Sequence, residues 1–284
     1  MKSIVRSALV FSALFVPASA VWAQPIEAVQ QAPAPLAISA PDGRSIPLVV
    51  EAPAAPKGVV LVSHGGSSNP ETMREIMRHL AANGFASVAP MHTDSLKMPE
   101  GKRTDLQGAF MTRMADMQAT AGYTKERFPG LPVAALGYSY GSLFALVGGG
   151  AFAPMIPGRI DGLKAVVMFS SPGPIPGLSA MPGAYAKVDV PTLLVTGTAD
   201  TVPGFVPDPK LHLTYFDGLS AGDHTAFIVK DATHTFLRDA EPGMDEVAPL
   251  ALDFLKSRVL GDAEAAARFD AASGSERVEI RRRR

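Results

Sequence analysis

The chain has 284 residues, of which 47% are hydrophobic and 19% charged, with a formal net charge of −1 and no cysteine. That is enough apolar sequence for one large domain and too much for a disordered chain. The near-neutral charge gives no reason to expect a nucleic-acid partner, and the lack of cysteine excludes disulfides, thiolate metal sites, a cysteine nucleophile and an acylated cysteine anchor.

The first 23 residues read as a cleavable secretory signal. Lys2 and Arg6 form a basic start, Ala8 to Val16 an apolar core, and Val21-Trp22-Ala23 a small-residue cleavage site. The apolar run is about half the roughly 20 residues that span a bilayer, so a soluble periplasmic or secreted protein is expected, with no stable membrane anchoring. Cleavage after Ala23 removes two cations and moves the formal charge from −1 to −3. Residues 24–36, rich in Ala, Pro and Gln, read as a linker.

A single domain is expected over residues 37–260. It begins with two short β runs flanking Pro41-Asp42-Gly43, an antiparallel hairpin signature. Apolar strands then alternate with helices: Val59 to Ser63, a helix from Pro70 to Ala82, Ala86 to Pro90, and a helix from Leu106 to Arg127. Leu106, Phe110, Met114, Met117 and Ala121 form the buried stripe of that long helix. The strands Val133 to Leu136, Ala165 to Phe169, Thr192 to Thr196 and Ala226 to Val229 follow, and a helix from about Met244 to Val259 closes the pattern. Leu211 to Phe216 also reads as strand-like. Strands that are apolar throughout belong in a parallel sheet covered on both faces, so the fold class is α/β, doubly wound and mostly parallel. Ser171 to Val190, broken by four prolines and three glycines, leaves no room for a lid helix. Residues 261–284 read as a polar tail ending in the Arg281 to Arg284 run, solvated and disordered.

Gly137-Tyr138-Ser139-Tyr140-Gly141 lies where a strand gives way to a helix. There, a tight turn exposes the serine hydroxyl, and glycines are needed to avoid collision with neighbouring backbone. A second Gly-x-Ser-x-Gly, Gly218 to Gly222, has no helix after it, so Ser220 reads as loop. A serine nucleophile needs a base and an acid to orient that base, in the chain order Ser, acid, His for this kind of turn. Asp200 follows the strand Thr192 to Thr196, and no acid follows the preceding strand in Ser170-Ser171-Pro172-Gly173. Of the two histidines flanking Ala226 to Val229, His234 lies at the carboxyl end, where ligands bind in open α/β sheets, and His224 at the amino end. The catalytic assignment is therefore Ser139, Asp200 and His234. The oxyanion donors are the N–H of Tyr140 and that of Gly66, with Ser67 next, in the glycine-bearing segment after Val59 to Ser63. Tyr138, Tyr140, Met181 and Tyr185 are candidate pocket walls.

His64-Gly65-Gly66, Gly137 to Gly141, Gly197-Thr198-Ala199-Asp200 and Thr233-His234 together make the chain resemble the α/β-hydrolase superfamily over Gly58 to Val259. Within that superfamily it is similar to lid-poor esterases of the dienelactone-hydrolase and platelet-activating-factor-acetylhydrolase type. The resemblance implies transfer of an acyl group to water from a small-molecule ester, without metal or organic cofactor. Many dienelactone hydrolases carry cysteine where Ser139 stands, so their substrate is not implied. The same triad would serve an amide or peptide, and a non-catalytic binding protein on this fold is the reading from another class.

Overall fold

The computed structural model describes residues 29–31, 36–153, 155–235 and 242–284. The signal segment, most of the linker and Phe236 to Glu241 lie outside the described residues.

Strands β1 (Val29–Gln31), β2 (Ala37–Ser39), β3 (Ser45–Pro53), β4 (Gly58–Ser63), β5 (Phe85–Pro90), β6 (Val133–Tyr138), β7 (Leu163–Phe169), β8 (Thr192–Gly197), β9 (His224–Val229) and β10 (Val278–Arg283) pair in the order β1-β3-β5-β4-β6-β7-β8-β9-β10, with β2 on β3. Pairing is parallel from β5 through β9 and antiparallel at both edges. The predicted hairpin is β2 and β3, joined through Pro41-Asp42-Gly43.

Every residue of β4, β5 and β8 is buried, which explains their unbroken apolar sequence: helices cover both faces. α1 (Arg74–Ala82), α5 (Met244–Leu260) and α6 (Ala263–Ala271) pack on one face through Ile76, Met77, Leu80, Phe254, Leu255 and Phe269. α2 (Leu106–Arg127), α3 (Tyr140–Gly148) and α4 (Thr214–Gly218) pack on the other, through Met114, Met117, Phe144, Leu146, Tyr215 and Phe216. α2 begins where the Asp105 carboxylate accepts the Gly108 N–H at 2.7 Å, and it ends with Lys125 and Arg127 facing the negative end of its dipole.

Two expectations are corrected. Leu211 to Phe216 is not a strand but a 3₁₀ turn, Pro209–Leu213, running into α4; the Asp208 side chain caps it by accepting the Lys210 N–H at 2.9 Å, a local signal that outweighs the β-prone composition. The polar tail is ordered as α6 and β10. Arg282 lies over the Phe269 ring and donates to the Phe269 carbonyl at 2.7 Å, and Arg281 pairs with Glu279. Charged residues on an edge strand keep it from pairing with other chains, so the arginine run that looked like a solvated end is the outer border of the sheet. Ser171 to Val190 carries turns and no helix. No described helix is long and apolar enough to cross a membrane.

Candidate active site

The carboxyl ends of β4, β6, β8 and β9 lie along one edge of the parallel sheet, and the segment after each contributes one part of the site. β6 delivers Ser139 on a turn in which φ is +52° and ψ −125°, the strained backbone expected of such a nucleophile. The turn is held by Ser139 N–H donating to the Phe169 carbonyl at 2.8 Å and Ser142 N–H donating to the Ser139 carbonyl at 2.9 Å. Its glycines are dictated by space. A Cβ on Gly137 would lie 2.3 Å from the Gly141 carbonyl oxygen, and one on Gly141 only 2.0 Å from that of Ser63.

His234 Nε2 is 3.0 Å from Ser139 Oγ, and Nδ1 is 2.7 Å from Asp200 Oδ1. Sequence-assigned Ser139, Asp200 and His234 are thus brought into one hydrogen-bonded line. The Asp200 carboxylate is fully buried, while the His234 side chain stays 18% exposed toward the cleft. Tyr138 donates its hydroxyl to the His234 carbonyl, seating the backbone of the base. Asp200 also accepts Thr196 Oγ1–H on Oδ2 at 2.8 Å.

A further histidine, not anticipated, completes this cluster. His212 is buried, with Nε2 2.9 Å from both Asp200 Oδ1 and the Asp200 carbonyl, and Nδ1 on the Ser171 carbonyl. Every partner is an acceptor, so both ring nitrogens must carry hydrogen and the ring is an imidazolium. Burial pulls its pKa down, but the Asp200 hydrogen bond and charge outweigh burial and leave it raised. Burial likewise pushes Asp200 up, yet the hydrogen bonds from His212 and His234 hold its carboxyl well below the usual carboxylate range. Asp200, His212 and His234 are the group of described residues whose ligand-type atoms come within 4.8 Å of one another. With both His212 nitrogens donating, that ring has no lone pair for a cation, so the cluster fits the triad and not a metal.

β4 ends in the glycine loop. The Ser67 N–H is taken by Asp94 Oδ2 at 2.8 Å, which leaves the Gly66 N–H as the candidate oxyanion donor of this loop, beside that of Tyr140 at the start of α3. Beneath the loop lies a second serine–histidine–aspartate chain: Ser63 Oγ is 3.0 Å from His92 Nε2, and His92 Nδ1 is 2.9 Å from Asp116 Oδ2. All three are wholly buried, out of a substrate's reach, so they support the loop. Burial raises Asp116 to about 6, outweighing the Arg44 charge, which lowers it.

Ser139 opens into a cleft of about 260 Å³ whose walls include Leu106, Tyr138, Tyr140, Pro172, Val202 and Phe205. Tyr138 and Tyr140 line it as expected; Met181 and Tyr185 do not. Tyr185 is a core residue between Phe152 and Tyr215, with ring centroids 5.4 and 5.8 Å away, and Met181 is a surface residue of the turn segment. Phe205, missed in the sequence, overhangs the mouth at 69% exposure on a turn closed by the Val202–Val206 bridge. Ser220 is exposed in the loop before β9, at the amino ends of the parallel strands and so on the far side of the sheet.

The family profile Hydrolase_4, described as serine aminopeptidase, S33, matches residues 54–170, from before β4 through the Ser139 turn to the end of β7. Solved structures match over most of the chain. A cold-adapted esterase from an Arctic intertidal metagenomic library superposes with a TM-score of 0.61 at 19% identity, covering 83% of this chain and 97% of its own. The dienelactone hydrolase of Anabaena variabilis gives 0.62 at 21%, covering 82% and 100%. The chain has the α/β-hydrolase fold. No curated protein sequence matches the chain. A zinc-bound structure of the Arctic esterase aligns at 16% identity with a TM-score of 0.58 over 82% of this chain and 95% of that one.

Proposed function

We propose that the protein is a serine hydrolase that cleaves small, uncharged carboxylic esters through an acyl-Ser139 intermediate. The observation that carries this reading is the line Ser139–His234–Asp200, with 3.0 and 2.7 Å links, opening into an apolar cleft. His234 takes the Ser139 proton as Oγ attacks the ester carbonyl. The Gly66 and Tyr140 N–H groups receive the oxyanion, and the alkoxide departs with the proton from His234. Water, activated by the same imidazole, then releases the acid. Asp200 holds the imidazole with Nδ1 protonated and stabilises the imidazolium that forms.

The cleft walls supply the specificity. No Lys, Arg, Asp or Glu is among its described lining residues, so neither a substrate carboxylate nor an α-ammonium finds a counter-ion there. This favours neutral esters over anionic lactones and over the amino-terminal residue that the description of the matching family, serine aminopeptidase, would require. The volume suits short acyl chains, and the helix-free Ser171 to Val190 segment offers no flap to open at a lipid interface. The amino-terminal signal pattern supports export, which intact-mass analysis of secreted protein would reveal as a start at Gln24.

The test is a panel of p-nitrophenyl esters of graded acyl length beside amino-acid p-nitroanilides, with fluorophosphonate labelling mapped to a residue. Labelling at Ser139 with turnover of acetate and butyrate esters is expected. Faster turnover of the anilides would move the protein to the peptidases, and an unlabelled Ser139 would make it a binding protein.

A further inference from the structure

We propose that Arg113, fixed by Asp94, is the positioning residue of the oxyanion hole. The inference rests on the serine-hydrolase reading and names what orients one of its donors.

Arg113 projects from α2 beneath the glycine loop and is fully buried. Asp94, in the segment after β5, pairs with it through two 2.8 Å bonds, from Nε to Oδ1 and from Nη2 to Oδ2. A buried guanidinium is costly unless its remaining N–H groups are also satisfied, and here they are satisfied by the loop backbone. Nη1 donates to the His64 carbonyl at 2.8 Å, and Nη2 to the Gly65 carbonyl at 3.0 Å. The Gly65 carbonyl also receives His64 Nδ1 at 2.8 Å and the Ser68 N–H at 3.2 Å.

These bonds decide where the Gly66 N–H points. In a planar trans peptide the N–H lies opposite the carbonyl of the preceding residue. Three donors draw the Gly65 carbonyl inward, so the Gly66 N–H is turned outward, to the cleft that Gly65, Gly66 and Ser139 line. Asp94 meanwhile holds the Ser67 N–H, clamping the other side. The pair thus grips the loop on both flanks of Gly66. It also reaches the second donor's residue: the Tyr140 ring lies on the guanidinium, 4.9 Å from its central carbon, and the Tyr140 hydroxyl is anchored on the Leu106 carbonyl. Because Arg113 and Asp94 cancel in charge, they act through orientation and not through a net field at the reacting oxygen.

The experiment compares Arg113→Lys and Asp94→Asn with the wild-type chain, using kcat and KM for p-nitrophenyl acetate and the affinity of an alkyl boronic acid that forms a tetrahedral adduct on Ser139. Lysine keeps the charge but lacks the fork that reaches two carbonyls and a carboxylate at once. Loss of one oxyanion donor costs on the order of 10²–10³ in kcat, so misaiming it should lower kcat about 10- to 100-fold. KM should stay within about threefold, and boronate affinity should fall in parallel with kcat. A folded variant of either kind that keeps wild-type kcat, or loses kcat while binding boronate normally, overturns the proposal; Asp94→Asn carries the test should Arg113→Lys not fold. Failure of the serine-hydrolase reading looks different, because the wild-type protein itself would then neither turn over esters nor take the label at Ser139.

Discussion

Gly141→Ala tests whether close approach of backbone to backbone builds the site. Gly141 is not in the left-handed region, so alanine is conformationally allowed and only space opposes it. The new Cβ would lie 2.0 Å from the Ser63 carbonyl oxygen, 2.6 Å from the Ser63 carbonyl carbon and 2.7 Å from the His64 carbonyl oxygen, and the nearest tolerated approach is about 3.0 Å. None of these atoms can rotate away, so α3 and the end of β4 must part by about 1 Å. Ser63 is paired in register with Gly137, and the loop bearing Gly66 follows it, so the displacement falls between nucleophile and oxyanion donor. A misplacement of about 1 Å costs about 10² in rate, equal to about 2.7 kcal/mol of barrier, and overpacking costs about 1–3 kcal/mol of stability. The assay is kcat for p-nitrophenyl acetate together with the urea unfolding midpoint. A variant with wild-type turnover and an unshifted midpoint would refute the argument.

Ser139→Ala or His234→Ala alone should lower kcat by on the order of 10⁴ or more, because triad members act as a unit; Ser220→Ala should be nearly silent in the same ester assay, and the reverse outcome would assign the nucleophile to the other turn. Asp116, raised to about 6 from 3.8 mainly by burial, keeps its proton in the folded state where the unfolded chain has lost it. Its contribution to stability therefore falls as pH rises from about 4 to 6, by about 3 kcal/mol; Asp116→Asn should gain on wild type by that amount between pH 4 and pH 7 in urea unfolding, and a flat difference would sink the assignment. His212 has a raised pKa, so its contribution is complete below about pH 6.5 and declines as pH rises through the folded value. The stability lost in His212→Gln should accordingly shrink between pH 5.5 and pH 9, and a constant loss would mean that the buried ring is neutral.

The candidate site was legible where its residues sit at strand ends. Apolar strands alternating with helices located the carboxyl edge of the sheet, and Ser139, Asp200 and His234 each follow a strand in the expected order. What stayed hidden depends on contacts across the chain. His212 lies in a run whose composition favours strand, and only the 3₁₀ turn capped by Asp208 brings it to Asp200. Arg113 sits between Phe110 and Met114 on the long helix, and its importance comes from a loop 49 residues earlier in sequence. Asp94 offered the one readable signal, an acid just beyond a strand end. Met181 and Tyr185 were misread because an aromatic or methionine in a proline-rich excursion looks the same whether it faces the cleft, the solvent or, as Tyr185 does, a cluster of aromatic rings. Strand β10 escaped because its alternation is carried by arginines.

Strand β10 also bears on the order of events during synthesis. β9 delivers His234, yet its outer edge is covered only by Val278–Arg283, which leaves the ribosome after every residue of the triad. A nascent chain halted in between would hold the complete set of reacting side chains while presenting a bare apolar edge, open to pairing with any other chain. Protection from aggregation is therefore reached last, after the candidate triad is complete, when the arginine-rich strand closes the sheet.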